Sequence, residues 1–598
     1  MSVPELLAAG TAGPLTGAGE AVRSPARVDV SVQARDLVTG LVADPWGQVS
    51  ASAYETGRLV SLAPWLAGHA GRVRFLLDTQ RPDGGWGAPG GYALVPTLSA
   101  TEALLAELCR RTSAGGDGPR SGGAARDGGP DGGPDGGGHR PDRGTGALAA
   151  AVGRGLRALE RCSALGGEVR SLPDMPAIEL IVPALTEMIN TRLGPDGGRL
   201  SLPAGLDGAK LQAVRAWLAS GAAVPQKLVH ALEVVGETAA GTADAGPTPV
   251  GPAVTARHAA SGEIGAVGAS PAASAAWLAA RGRPEPRDPV LRYLEEVTGR
   301  TGGPVPCATP ITVFERGWAL SWLLRAGIPV AAPPELVASL RGALGPHGTA
   351  AGPGLPPDAD TTSVALYALA LLDDPGEPAG LWPYEIGTHF CTWQGEEGAS
   401  PTVNAHVLDA FGEYLRRGRD VAPRYAAAVR KLSAWLCERQ GADGSWTDRW
   451  HASPYYATAC CAIALADFGG AGSAGAVRAA ARWILGSQRE DGSWGGWEGT
   501  AEETAYALQT LLLTGGPADG GRHADAVRRG YRYLLRSVTD RGDPVDAPPL
   551  WHDKDLYFPA AIVRAAVLGA LHLVERDPLV GRSVSVPSPS GGRTATTC

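Results

Sequence analysis

One signature recurs three times in this chain, and it constrains the fold more than any other feature. It reads RVRFLLDTQRPDGGWG at 72–87, KLSAWLCERQGADGSW at 431–446 and AARWILGSQREDGSWG at 480–495. Each copy is the apolar end of a helix, then a Gln, then an Asp-Gly turn and a Trp. Asp-Gly reverses a chain because Gly adopts positive φ at no steric cost and Asp bonds its own backbone. The Gln amide then satisfies orphan backbone groups, while the Trp covers the next helix end. One such unit cannot bury its apolar face alone, so the repeat implies helix pairs that stack or close into a ring.

Elsewhere the same class is legible. Apolar residues recur at helical spacing over 213–220, 314–327, 402–415 and 555–574, and few segments alternate long enough for strands. The fold class predicted is all-α. Gly and Pro, 84 and 49 residues, are clustered rather than spread. Residues 112–146 are rich in Gly, Asp, Pro and Arg and carry too little apolar area to order themselves. Residues 236–263 read as a long loop, 1–28 as a flexible start and 577–598 as a disordered polar tail.

Charge and composition exclude several functions. A net charge of −8 argues against a general nucleic-acid binder, which carries a basic face. No run approaches the ~20 apolar residues of a membrane span, and 1–10 lacks the positive start of a secretory signal. The eight cysteines form no CxxC pair, as expected for reduced thiols in a cytoplasmic protein.

The stretch LPPDADTTSVALYAL (355–369) asks what its two aspartates do. Asp358 or Asp360 could simply cap the helix that follows. A second reading is a proton donor, since neighbouring buried carboxylates share a proton and hold it. SVALYALALL is apolar on every face, so the helix behind the aspartates should be buried.

The three repeats resemble the QW motifs of the class II terpene cyclase superfamily. Further stretches resemble its diterpene branch: WGQVSASAYETG (46–57), MPAIELIVPAL (175–185), KLVHALEVVG (227–236), SPAASAAW (270–277), GGPVPCATPITVFERGW (302–318) and LWHDKDLYFPAAIVRA (550–565). The resemblance covers about 40–575 and implies two α/α barrels, β and γ. It places the β domain at 29–55 plus 300–576 and the γ domain at 56–299, with the active site between them.

PDADTT falls where the family carries D-x-D-D. That makes Asp360 the general acid and Asp358 its partner, with Thr361 in place of the last Asp. The same resemblance implies Mg2+ near Glu168 and Asp174, and basic residues for a diphosphate, with Lys554 and Lys227 as candidates. His230, in LVHALE, matches a His that in plant members handles the terminating proton through a water. Its Asn partner is replaced here by Cys307. Trp318, Trp382, Tyr384 and Trp393 are candidate cavity walls for a carbocation.

The implied reaction is protonation-initiated cyclisation of geranylgeranyl diphosphate to a bicyclic product that keeps its diphosphate. Asp373-Asp374-Pro-Gly-Glu377 has the letters of a DDxxE metal motif but reads as a helix terminus. Two alternatives remain at this point: a squalene–hopene type triterpene cyclase, and a non-catalytic prenyl-binding α/α barrel.

Overall fold

The computed structural model describes residues 25–114, 143–164, 172–195, 198–236, 246–250, 263–282, 285–396, 398–418, 422–515 and 520–578. The described residues are overwhelmingly helical, and the strands among them are two-residue pieces in three hairpins. Glu168 and most of the 112–146 insert lie outside them. The helices flanking that insert, Leu94–Ala114 and Arg143–Ala164, reach further into it than composition predicts.

Six described helices form a closed ring: Thr312–Arg325, Ala359–Leu371, Pro401–Arg417, Pro454–Phe468, Ala501–Leu513 and Ala560–Arg576. Each packs on the next and the last packs on the first. Ala359–Leu371 and Pro454–Phe468 are buried nearly all round, as their unbroken apolar sequences require. Val30–Ala43, Pro334–Ala343, Pro423–Glu438, Ala474–Gly486 and Gly520–Ser537 pack on the outside of this ring. A second ring links Ala53–Leu62, Leu94–Ala114, Ile178–Leu193, the 3-10 turn Leu232–Val234 and Pro271–Arg281. The fold is therefore all-α and built of α/α barrels.

Each ring has its own apolar core. The larger joins Val30–Leu41 to residues from Trp318 onward, and the smaller spans Trp46 to Val305. Trp46 and Tyr54, assigned by sequence to the larger unit, pack in the smaller core.

The three repeats share one set of bonds. Trp86, Trp446 and Trp494 donate their indole N–H to Leu76, Leu436 and Ile484, at 2.8, 2.9 and 2.7 Å. Each Trp thus closes the last turn of its own helix, not the end of the next one. The Gln crosses to the neighbour instead: Gln80, Gln440 and Gln488 each donate at 2.9 Å to a carbonyl of the following outer helix, at Ala151, Ala476 and Ala526. The turn glycines 84, 444 and 492 have φ of +87°, +99° and +93°. A Cβ there would lie 2.6–2.7 Å from a backbone oxygen of that outer helix, so only Gly fits.

Several inner helices start alike. Ser270, Ser400 and Ser453 cap Pro271–Arg281, Pro401–Arg417 and Pro454–Phe468, with Pro in the first turn. No described helix is long and apolar enough to cross a membrane. The predicted helix 555–574 begins only at Ala560, because Trp551–His552 and Leu556–Tyr557 form a hairpin ahead of Pro559.

Candidate active site

A cavity of about 530 Å³ lies where residues of both cores meet. That volume is within the ~300–1,000 Å³ usual for small-molecule sites. Phe314, Tyr456, Trp551 and Tyr557 line it together with Asp358, Asp360 and Thr361 on one element and His230, Asp553 and Lys554 on others.

The helix Ala359–Leu371 fixes the acidic end. Asp358 is its N-cap, accepting from the Thr361 N–H at 2.6 Å and from the Thr361 hydroxyl at 2.9 Å. Asp360 is therefore released from capping and sits in the first turn, where the helix dipole favours negative charge. Its Oδ1 is 2.6 Å from Nδ1 of His406, which comes from the next inner helix. Burial pushes the Asp358 carboxyl up to about 7, and the nearby Asp360 charge adds to the push. Burial works against a charged His406, yet the Asp360 carboxylate outweighs it and raises the imidazole well above its usual value.

Aromatic rings pack behind these groups. Phe314 stacks on Trp318 at 4.1 Å, Tyr456 meets Trp551 at 4.9 Å, and the Trp318 indole N–H donates to the Tyr456 hydroxyl at 2.9 Å. Trp393 lines the cavity next to Trp450. Trp318, Trp382 and Tyr384 do not line it. Trp382 packs on Phe411 and Tyr425 in the larger core, and the Tyr384 hydroxyl donates to the His347 carbonyl.

The hairpin turn 553–555 carries the other polar group of the cavity. Lys554 is fully buried, ion-paired to Glu55 and Glu233, and donates to the His230 carbonyl at 2.8 Å and the Ser270 hydroxyl at 2.9 Å. Burial opposes its charge, but Glu233 and Glu55 more than compensate. An ammonium has three protons to give, and these acceptors engage all of them. Lys554 is a brace between the two barrels, not a free cation for a diphosphate. Lys227 is exposed at the cavity, 5.6 Å from the Trp393 ring centroid, and forms no ion pair among the described residues. Lys210 and Arg449 also line the cavity.

His230 and Cys307 both meet Asp553. His230 Nε2 is 2.8 Å from Asp553 Oδ1, and its Nδ1 is 2.6 Å from the Gly268 carbonyl. Cys307 is fully buried, and burial first, then Asp553, pushes its thiol well above the usual range.

The described residues do not form a magnesium site. Asp174 lies on the cavity but is engaged by Arg449 at 3.1 Å, and Glu396 is paired with the same guanidinium. No three His, Cys, Asp or Glu side chains converge as metal ligands among the described residues. Asp373 and Asp374 sit past the end of Ala359–Leu371 and pair with Arg417 and Arg341, as a helix terminus would.

A profile for the squalene-hopene cyclase C-terminal domain matches residues 397–548. The ent-copalyl diphosphate synthase of Streptomyces sp. strain KO-3988 is 41% identical, over 91% of this chain and 96% of that one. The chain belongs to the class II diterpene cyclases. The labda-7,13-dienyl diphosphate synthase of Streptomyces clavuligerus is 38% identical to this cyclase, over 92% and 94% of the two chains. The solved structure of ent-copalyl diphosphate synthase from Streptomyces platensis superposes with a TM-score of 0.78 at 43% identity, covering 91% of the cyclase and 99% of that chain.

Sequence reasoning missed one group that lines the cyclase's cavity, Asp553, and one that stands behind Asp360, His406. His406 is 46 residues from Asp360, and nothing in NAHVLDAF marks it. Asp553 stands inside the WHDKDLY stretch, in which the resemblance singles out its neighbour Lys554.

Proposed function

We propose that this cyclase converts geranylgeranyl diphosphate to a bicyclic diterpenyl diphosphate of labdane, halimane or clerodane type, with Asp360 as the proton donor. One observation carries the reading: a carboxyl freed from helix capping, bonded to a histidine, opens on a cavity walled by aromatic rings.

Protonating an alkene takes a strong acid in a dry place. The His406 N–H bonds Asp360 Oδ1 and the helix N-terminus lies beneath, so the charge left on Asp360 when its proton goes to the alkene is met by donors already in place. Asp358, held neutral toward pH 7, keeps a second negative charge off the site. Thr361 fixes Asp358 through its hydroxyl. The proton goes to the terminal alkene carbon, the π electrons of successive double bonds close two rings, and the rings of Phe314, Tyr456 and Trp551 face the moving cation. Lys227, exposed at the cavity and outside any ion pair among the described residues, is the cationic group available to the diphosphate, which is retained. No step is assigned to magnesium, because Asp174 is engaged by Arg449.

We propose a division into two barrels that meet at this cavity, with the crossover between Leu41 and Trp46. Incubation with geranylgeranyl diphosphate, followed by dephosphorylation and mass spectrometry, should give a bicyclic C20 alcohol, and squalene should be left untouched. Efficient cyclisation of squalene, or no consumption of either, overturns the reading.

A further inference from the structure

His230 is the residue that the resemblance offers for the terminating proton, but its surroundings leave it no lone pair. Nδ1 faces a backbone carbonyl at 2.6 Å, and a carbonyl only accepts, so Nδ1 carries a hydrogen. Nε2 faces a carboxylate oxygen at 2.8 Å. That contact is a hydrogen bond only if Nε2 is also protonated or if Asp553 is. The Lys554 ammonium beside Asp553 decides between them, since a neighbouring cation favours the carboxylate. His230 is an imidazolium that donates from both nitrogens, and such a ring takes up no proton.

Asp553 is the other member of the pair and is differently placed. Two donors converge on its Oδ1, the His230 Nε2–H and the Lys554 backbone N–H at 2.7 Å. The side chain keeps about 12% exposure and lines the cavity. Burial by itself would raise its pKa, but His230 and Lys554 outweigh burial and hold it at about 2. Glu55 and Glu233 pair with the Lys554 ammonium away from the cavity, so Asp553 is the carboxylate of this cluster that lines it and can face a carbocation.

We infer that Asp553 takes the proton that ends the reaction, through its Oδ2, and that His230 positions it. This rests on the function proposed above. The C–H bond next to the cationic carbon breaks, and its electron pair becomes the new C=C bond. The proton goes to Asp553, which becomes a carboxylic acid and returns the proton to solvent before the next turnover. One proton enters from Asp360 and one leaves to Asp553, so the product is an isomer of the substrate. A base this weak suffices, because a carbocation is a far stronger acid than any carboxylic acid.

The test uses the full-length enzyme and geranylgeranyl diphosphate. Asp553→Asn keeps the shape and an acceptor for His230 but loses the charge. It should still consume substrate while the wild-type product falls at least fivefold as a share of the total, replaced by hydroxylated or further rearranged diphosphates. His230→Gln, which keeps a neutral donor, should retain the wild-type product as the major one with a lower kcat. Asp553→Glu keeps the charge and displaces the oxygen, and should give wild-type and new products together; it carries the test if the Asn variant fails to fold. An unchanged product in a folded Asp553→Asn or Asp553→Glu variant overturns the inference. So does a product switch in His230→Gln that exceeds the switch in Asp553→Asn. Absence of any cyclised product from the wild-type enzyme instead overturns the proposed function.

Discussion

His406 meets Asp360 at 2.6 Å and His230 meets Asp553 at 2.8 Å, so one cavity touches two histidine–aspartate pairs. Their neighbours differ. Asp360 has a second carboxyl beside it, Asp358, which burial and that proximity push up to about 7. Asp553 has the Lys554 ammonium and a doubly donating His230, and is held at about 2. A buried cysteine attends each pair, but Cys460 bonds the histidine of the first while Cys307 bonds the aspartate of the second. The residue types are nearly the same, and the neighbour differs: a carboxyl that burial keeps protonated, Asp358, beside the first pair and an ammonium beside the second.

The comparison breaks most sharply at Asp360. Asp360→Asn preserves shape and removes the acidic proton, so turnover should fall by about three orders of magnitude or more, with the fold intact by circular dichroism. The same change at Asp553 should redistribute products instead. Near-wild-type turnover by Asp360→Asn would remove the distinction between the two pairs.

The next effect is on pH. Asp358 keeps its proton up to about 7, and above that value a second negative charge appears beside Asp360. The rate should therefore decline about tenfold per pH unit above pH 7, reflecting loss of one required proton. The sign for stability follows from linkage: a carboxyl whose folded pKa is raised contributes stability that is lost as pH climbs from about 4 through 7. Glu315 and Glu503 titrate near the same value, so the assignment needs Asp358→Asn. If the alkaline limb is unchanged in that variant, Asp358 is not its source.

A smaller effect is expected at the cationic lining. Lys227→Ala should raise KM for geranylgeranyl diphosphate about tenfold with little change in kcat, the pattern of an interaction made equally in ground and transition states. Lys554 offers the contrast. Its four acceptors bind two barrels together, so Lys554→Ala should lower the melting temperature, stranding Glu55 and Glu233 in the interior.

Much of this was legible because the relevant physics is local. The Gln–Asp-Gly–Trp repeat encodes its turn and the Trp bond back to its own helix within sixteen residues, and all-apolar stretches such as SVALYALALL can only be inner helices. Asp360 was legible through its motif. What escaped depends on distant partners. Lys554 reads as a free cation until Glu233, 321 residues away, is placed beside it. Asp553 reads as one more hydrophilic turn residue until His230, 323 residues away, closes on it. The second strand of the hairpin around them, Leu556–Tyr557, reads as the start of a helix in the sequence because two-residue strands leave no periodicity to detect. Trp382 and Tyr384 lie near the acid motif in sequence, but sequence proximity says nothing about which face of the core they join.

The smallest expected effect separates the two pairs through their cysteines. Cys307 is fully buried with its thiol toward Asp553, and a thiol is a weak donor and a weak acceptor. It orients Asp553 and any water beside it poorly, which gives the cation time for hydride and methyl shifts toward a halimane or clerodane skeleton. An Asn amide would donate to Asp553 more strongly and offer its own oxygen to a water. Cys307→Asn should therefore move a minor share of product, about a tenth to a third, back to an unrearranged labdane diphosphate. The larger side chain in a closed site should cost about 1–3 kcal/mol of stability. Cys460→Ser, at the histidine of the other pair, should change the rate and leave the product ratio alone, because the proton handled there is spent before the rings close. Chromatography of the dephosphorylated products from both variants reads the outcome directly. A wild-type product that is already wholly unrearranged would sink the Cys307 argument, and a product shift in Cys460→Ser as large as in Cys307→Asn would dissolve the division of labour between the two pairs.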